Sequence, residues 1–170
     1  MSQIRDVESL NYFKDNVAKG EKPEKLREEI FAGTRDNGRT PMCWTKGENA
    51  GFTSGTPWLK LIDESEKINV EVQDNDPFSV LNFYRDVIRL RHENPALVYG
   101  NFRLVNEKWK NVLAYYRVGE EGTFYIEINL TDKLQKKPLD TSCFKKVISN
   151  IGTSRNDALV PYEASIYKVN

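Results

Sequence analysis

With 170 residues, 39% of them apolar, the chain is long enough to bury a substantial core, although it is slightly less apolar than a typical globular domain. Its 25 basic residues balance its 25 acidic ones, which argues against nucleic acid or an anionic membrane as the main partner. No apolar run of spanning length and no signal-peptide pattern follows Met1, so a soluble, cytoplasmic chain is expected. Its two cysteines, Cys43 and Cys143, lack metal spacing and read as reduced thiols.

Val7, Leu10, Phe13 and Val17 recur at helical spacing and Gly20 sits where a helix stops, which predicts a first helix over residues 6–19. Pro23 fits a first helical position, and Leu26 and Ile30 share a face of a second helix reaching about residue 31. From residue 33 to 72 no period is sustained, and the stretch reads as a long ordered loop held by packing of Trp44, Phe52 and Trp58. The clearest helix is predicted over residues 77–94, capped by Asp76, started by Pro77 and ended by Pro95. Phe78, Leu81, Tyr84 and Ile88 form one apolar line on it, and Val80, Val87 and Leu90 widen that line beyond what one covered surface needs. A bare part of that face would invite oligomerisation.

After Pro95 the pattern changes to short alternating runs over residues 101–105, 112–118, 123–129, 144–148 and 164–169, which read as an antiparallel sandwich. Phe102 and Leu104 fall on one face of the first run, and Phe124, Ile126 and Ile128 on one face of the third. Tyr115, Tyr116, Tyr125 and Tyr167 read as core aromatics rather than a stacking platform. Lys133, Lys136 and Lys137 read as a solvated loop. His92, the only histidine, has no ligand-type neighbour for a metal and suits a helix C-terminus as a cation, so no cofactor or metal is called for.

Within the long loop, Arg35 and Arg39 lie four residues apart with Asp36 and Asn37 between them. Two guanidinium forks beside a carboxylate and an amide suit the hydroxyl rim of a pyranose, and Pro41 and Trp44 stiffen the loop and add an apolar wall. The same residues also read as a surface turn in which Arg35 or Arg39 pairs with Asp36.

The run Arg35-Asp36-Asn37-Gly38-Arg39-Thr40-Pro41-Met42-Cys43-Trp44 is followed by Gly47-Glu48-Asn49-Ala50-Gly51-Phe52-Thr53, Thr56-Pro57-Trp58-Leu59 and Ile68-Asn69-Val70-Glu71. Further on come Leu90-Arg91-His92-Glu93-Asn94-Pro95-Ala96-Leu97-Val98-Tyr99-Gly100 and Pro161-Tyr162-Glu163-Ala164-Ser165-Ile166-Tyr167. In this order the motifs resemble the α-glucosidases of glycoside hydrolase family 13, a group that includes oligo-1,6-glucosidases, sucrose isomerases and trehalose-phosphate hydrolases. The resemblance covers nearly the whole chain. It implies an α+β fold in which N-terminal helices and a long loop are the remnant of the end of a (β/α)8 barrel, followed by a C-terminal antiparallel β-sandwich. Residues 1–95 would be the barrel end and residues 96–170 the sandwich.

By the same resemblance Arg35 closes the pocket around a terminal glucose, Arg39 lies near the neighbouring subsite, and Asp36 and Asn37 share the substrate-binding loop. Cys43 stands where the family usually has glutamine, and Thr45 where it usually has an acidic residue. The family's nucleophile Asp, acid/base Glu and third Asp fall upstream of the segment that Met1 begins, so no catalytic residue is assigned. The chain is then expected to be the C-terminal part of an α-glucosidase-type hydrolase for α-linked gluco-oligosaccharides, inactive alone. Its partner would be an α-glucoside in a completed barrel, a missing barrel chain, or a second copy through the 77–94 helix. A stand-alone saccharide-binding or scaffold protein and one half of a split glycosidase are the alternatives.

Overall fold

The computed structural model describes residues 3–105, 110–152, 155 and 157–169. The chain divides into two compact units, Met1–Pro77 and Phe78–Asn170.

The first unit begins with α1 (Val7–Ala18) and α2 (Pro23–Gly33). Pro23 stands at the start of α2, where its missing N–H costs no helical hydrogen bond, and Leu26 and Ile30 bury the inward face of that helix. The following loop carries two 3-10 turns, Arg35–Gly38 and Glu48–Gly51, and the short α3 (Val70–Asp74). Order in this loop comes from the backbone rather than from its aromatics: Trp44, Phe52 and Trp58 are each about half exposed or more. The carbonyls of Cys43 and Trp44 accept from the amides of Val70 and Glu71 at 3.0 Å each. These are the N–H groups that the first turn of α3 leaves without helical acceptors.

Asn69 completes the start of α3. Its side chain accepts from the Val72 amide at 2.9 Å and donates to the carbonyls of Ser65 (2.9 Å) and Glu66 (3.2 Å). Almost no surface of Asn69 reaches solvent. The turn at Glu48–Gly51 passes through left-handed backbone at Asn49 (φ 48°), Ala50 (φ 53°) and Gly51 (φ 67°). Asn49 tolerates that conformation and secures it by donating to the carbonyls of Thr53 and Gly55.

The second unit opens with α4 (Val80–Glu93) and α5 (Pro95–Tyr99). Ser79, not Asp76, caps α4, its hydroxyl accepting from the Asn82 amide at 3.2 Å. Pro95 ends one helix and starts the next, because a proline accepted at the first turn breaks the preceding ladder.

A five-stranded antiparallel sheet follows, built from β1 (Asn101–Leu104), β2 (Val112–Gly119), β3 (Gly122–Asn129), β5 (Lys145–Ser149) and β7 (Ala164–Val169) in the order β1-β2-β3-β7-β5. The short β4 (Gln135–Lys136) and β6 (Ala158–Leu159) pair with each other in a separate ladder.

Both faces of the central strand β3 are buried. Phe124 and Ile126 pack with Ala96 and Leu97 of α5, joined by Leu90, Tyr115, Ile128 and Ile166. On the opposite face Tyr125 packs with Val112, Ala114, Leu159 and Tyr167. Alternation alone would send Glu127 to solvent, yet it is fully buried. Its Oε1 receives the Lys137 ammonium at 2.9 Å and the Tyr167 hydroxyl at 3.0 Å, and its Oε2 the Tyr125 hydroxyl at 3.2 Å. Lys137 is therefore not the solvated loop residue that its basic neighbours suggest: it is buried, and also donates to Tyr167 and Thr141.

Candidate functional site

The 3-10 turn that carries Arg35, Asp36 and Asn37 is capped by Thr34, whose hydroxyl accepts from the Asp36 amide at 3.3 Å. Asp36 is buried, and its Oδ2 accepts the backbone amides of Arg5 (2.7 Å) and Asp6 (3.0 Å), tying the turn to the start of α1. In return, Asp6 reaches across to Arg35. Its Oδ1 accepts from Arg35 Nε at 3.1 Å and Nη2 at 2.6 Å, while Nη2 also approaches Glu8 Oε2 at 3.0 Å. Residues 6 and 36 thus hold each other's segments, and Arg35 is fixed by carboxylates 29 and 27 positions away in sequence rather than by its neighbour Asp36.

The electrostatics follow from that clamp. The Arg35 hydrogen bond draws the Asp6 carboxyl down from the ordinary 3.8 to about 2. Burial opposes the shift, and the Ser9 hydroxyl and the charges of Arg35 and Arg39 add to it. Arg35 is raised in turn, first by the same hydrogen bond. Asp6 is therefore an anion at neutral pH and cannot serve as a proton donor there.

Arg35 remains half exposed, and its Nη1 has no partner among the described residues. Arg39 is exposed, and its guanidinium hydrogen-bonds to nothing among them. Asn37 donates its amide to the Phe31 carbonyl at 2.9 Å, one of the last carbonyls of α2 that lack a helical donor. Asp36 Oδ1 is buried without a donor.

Beside this turn a cavity of about 550 Å³ lies between α1 and α2, with Asp6, Glu8, Ser9, Tyr12, Glu29 and Arg35 in its wall. Carboxylates, hydroxyls and one guanidinium give this surface both donors and acceptors, the groups with which a polyhydroxylated molecule can exchange hydrogen bonds. Asp6 and Glu8 are the members that sequence spacing does not reveal. Locally, Asp6 stands at the start of α1 and accepts only the Ser9 hydroxyl at 2.8 Å, without a side-chain cap bond to the helix, and that says nothing of Arg35.

Among the described residues, no group of three histidine, cysteine, aspartate or glutamate side chains is placed to hold a metal ion, and no helix is long and apolar enough to cross a membrane. Cys43 is a buried thiol that donates weakly to the Pro41 carbonyl.

The profile of the alpha-amylase catalytic domain matches residues 7–100, more than half of the chain. The chain belongs to the alpha-amylase family. Within that family it is 35% identical over 179 residues to an oligo-1,6-glucosidase of Parageobacillus thermoglucosidasius, covering 99% of this chain and 32% of the relative. It is likewise 35% identical to an alpha-glucosidase of Candida albicans, covering 100% and 32%.

Solved structures of the family agree. The isomaltulose synthase of Klebsiella sp. LX3 superposes with a TM-score of 0.92 at 29% identity, covering 100% of this chain and 32% of that one. The trehalose-6-phosphate hydrolase of Bacillus licheniformis does so with a TM-score of 0.89 at 32% identity, covering 98% and 32%. This alpha-amylase family chain spans about a third of the length of the relatives it matches.

Proposed function

We propose that these 170 residues are the C-terminal part of an α-glucosidase-type glycoside hydrolase acting on α-linked gluco-oligosaccharides, and that they supply a substrate-binding loop without the catalytic carboxylates. The observation that carries this reading is the match over the whole chain to relatives named oligo-1,6-glucosidase and alpha-glucosidase, each about three times as long. In this reading Arg35, held by Asp6 and Glu8, offers its unpaired edge to sugar hydroxyls, Arg39 contributes a second guanidinium, and Asp36 and Asn37 hold the loop's shape. Residues 1–95 are the end of the barrel domain and residues 96–170 a β-sandwich. The end of the family match at residue 100 supports a change near that point, whereas the compact units meet at Pro77 and Phe78 because α4 and α5 pack with the sheet; the two antiparallel sheets support the sandwich.

Retaining hydrolysis needs two carboxyl groups about 5 Å apart across the scissile bond, one protonated as acid and one free as nucleophile. The carboxylates beside Arg35 do not fill those roles, because Asp6 and Glu8 are engaged by the guanidinium and Asp6 stays ionised. In this reading the catalytic carboxylates lie outside these 170 residues, the chain alone is inactive, and its partner is the remaining barrel, whether in one polypeptide or in a second. The exposed Val80, Tyr84 and Ile88 of α4 are where a barrel segment or another copy of the chain would seat.

Two measurements test the reading together. Incubation of the pure chain with isomaltose is expected to release no glucose, and glucose release would overturn it. An antibody raised against residues 102–170 is expected to detect, in source-cell extract, either a species much heavier than 19.7 kDa or a 19.7 kDa species that co-purifies with a barrel chain. A solitary 19.7 kDa species that binds isomaltose calorimetrically would replace the reading with a stand-alone saccharide-binding protein.

A further inference from the structure

In the second unit a cavity of about 220 Å³ opens between α4, α5 and the sheet, and its wall combines two kinds of surface. Val87, Leu97, Ile126 and Ile166 supply an aliphatic floor. Phe102 and Tyr115, with ring centroids 4.9 Å apart, form an aromatic side. Arg91 and Arg117 also line it, and each is tethered to α5 by a single hydrogen bond: Arg91 Nη1 to the Leu97 carbonyl and Arg117 Nη2 to the Val98 carbonyl, both at 2.8 Å.

Neither guanidinium has a carboxylate partner among the described residues, whereas Arg35 and Arg89 do. Arg117 Nε is moreover buried with no acceptor among the described residues. A buried N–H without an acceptor is disfavoured, and the fork of an arginine takes an oxyanion, carboxylate or phosphate, bidentately; a cavity of about 220 Å³ with an aliphatic floor selects the smaller, singly charged carboxylate. Arg117, half-buried, and Arg91, exposed at the mouth, stand beside an apolar floor, an arrangement that suits one negative charge and one apolar body.

We propose that this cavity binds a small monocarboxylate with an aliphatic or aromatic body. The carboxylate lies between Arg91 and Arg117, and the body covers Val87, Leu97, Ile126 and Ile166. The site is in a different compact unit from the Arg35 loop and does not depend on the glycosidase reading.

The test is an NMR titration of the full 170-residue chain with hexanoate, using the methyl signals of Val87, Leu97, Ile126 and Ile166. Acetate, hexan-1-ol and isomaltose serve as probes that lack the body, the charge or both. Saturable shifts with hexanoate are expected, with at least tenfold weaker binding of the other three. R91Q and R117K are each expected to weaken hexanoate at least tenfold. V87F, which fills the floor and leaves both guanidiniums in place, is expected to abolish binding while the sheet signals stay dispersed. The proposal is overturned if hexanoate produces no saturable shift, if hexan-1-ol or isomaltose binds the same methyls as tightly, or if folded R91Q binds hexanoate like the wild type.

Discussion

Asp6 and Arg35 show how much one long-range contact decides. With a folded-state value of about 2 against an ordinary 3.8, Asp6 contributes stability that is fully present above about pH 4 and is lost as the pH falls toward 2. Following the Asp6 carboxyl carbon by NMR during acid titration should give a midpoint near 2, returning to the ordinary carboxylate range in R35Q. An unshifted midpoint in the wild type would mean that the clamp does not form in solution. Lys137 makes the second residue-scale prediction. Burial works against its charge, but the hydrogen bonds of Tyr167 and Glu127 and the Glu127 charge outweigh burial and raise it. Replacing Lys137 by Met leaves Glu127 as an unpaired buried carboxylate, which costs about 3–5 kcal/mol. Urea unfolding should show that loss in K137M and its recovery in large part when E127Q is added, since a neutral amide still serves the two tyrosine hydroxyls. None of this was legible in sequence. Three lysines near a proline look solvated, and nothing local says that residue 137 meets residue 127, or residue 35 residue 6.

At the scale of elements the sequence was more informative, because periodicity is a local property. The spacing of Val7, Leu10, Phe13 and Val17 placed α1 within a residue at each end, and the alternation of Phe124, Ile126 and Ile128 placed β3 equally well. What escaped were elements too short to show a period: α5 spans five residues, and β4 and β6 two each. The cap of α4 was missed because Asp76 and Ser79 are both good capping residues, and only the turn through residues 77–79 chooses between them. S79A should therefore lower stability by about 1 kcal/mol in thermal unfolding, and an effect below a few tenths would return the cap to another side chain. Packing of α5 on the sheet depends on Gly119, where an added Cβ would lie 2.7 Å from Ala96 Cβ and 2.9 Å from Ala96 Cα. Such an approach forces α5 away from β2, so G119A should cost about 1–3 kcal/mol, measured by the same unfolding experiment. An unchanged midpoint would show that α5 moves freely on the sheet.

For the molecule as a whole, the family was legible from the order of its motifs, whereas the surface left uncovered required the structure. On α4 the apolar residues of the line and of its widening divide between two fates. Leu90 joins the sheet core, and Val87 lines the arginine cavity. Val80, Tyr84 and Ile88, spaced four apart on one side of the helix, are 76%, 64% and 44% exposed. An apolar row of that kind is unusual on a monomer and suits a partner surface. In the 170 residues the row is exposed, and a second copy offers a matching row. Sedimentation velocity over a range of protein concentrations should therefore show reversible association, abolished in Y84K/I88K. Both replaced side chains lie outside the buried clusters, so the double variant should keep the wild-type unfolding midpoint. Association that survives the double substitution would locate the contact elsewhere, and a wild-type monomer at every concentration would mean that the row is shaped for a different chain than its own.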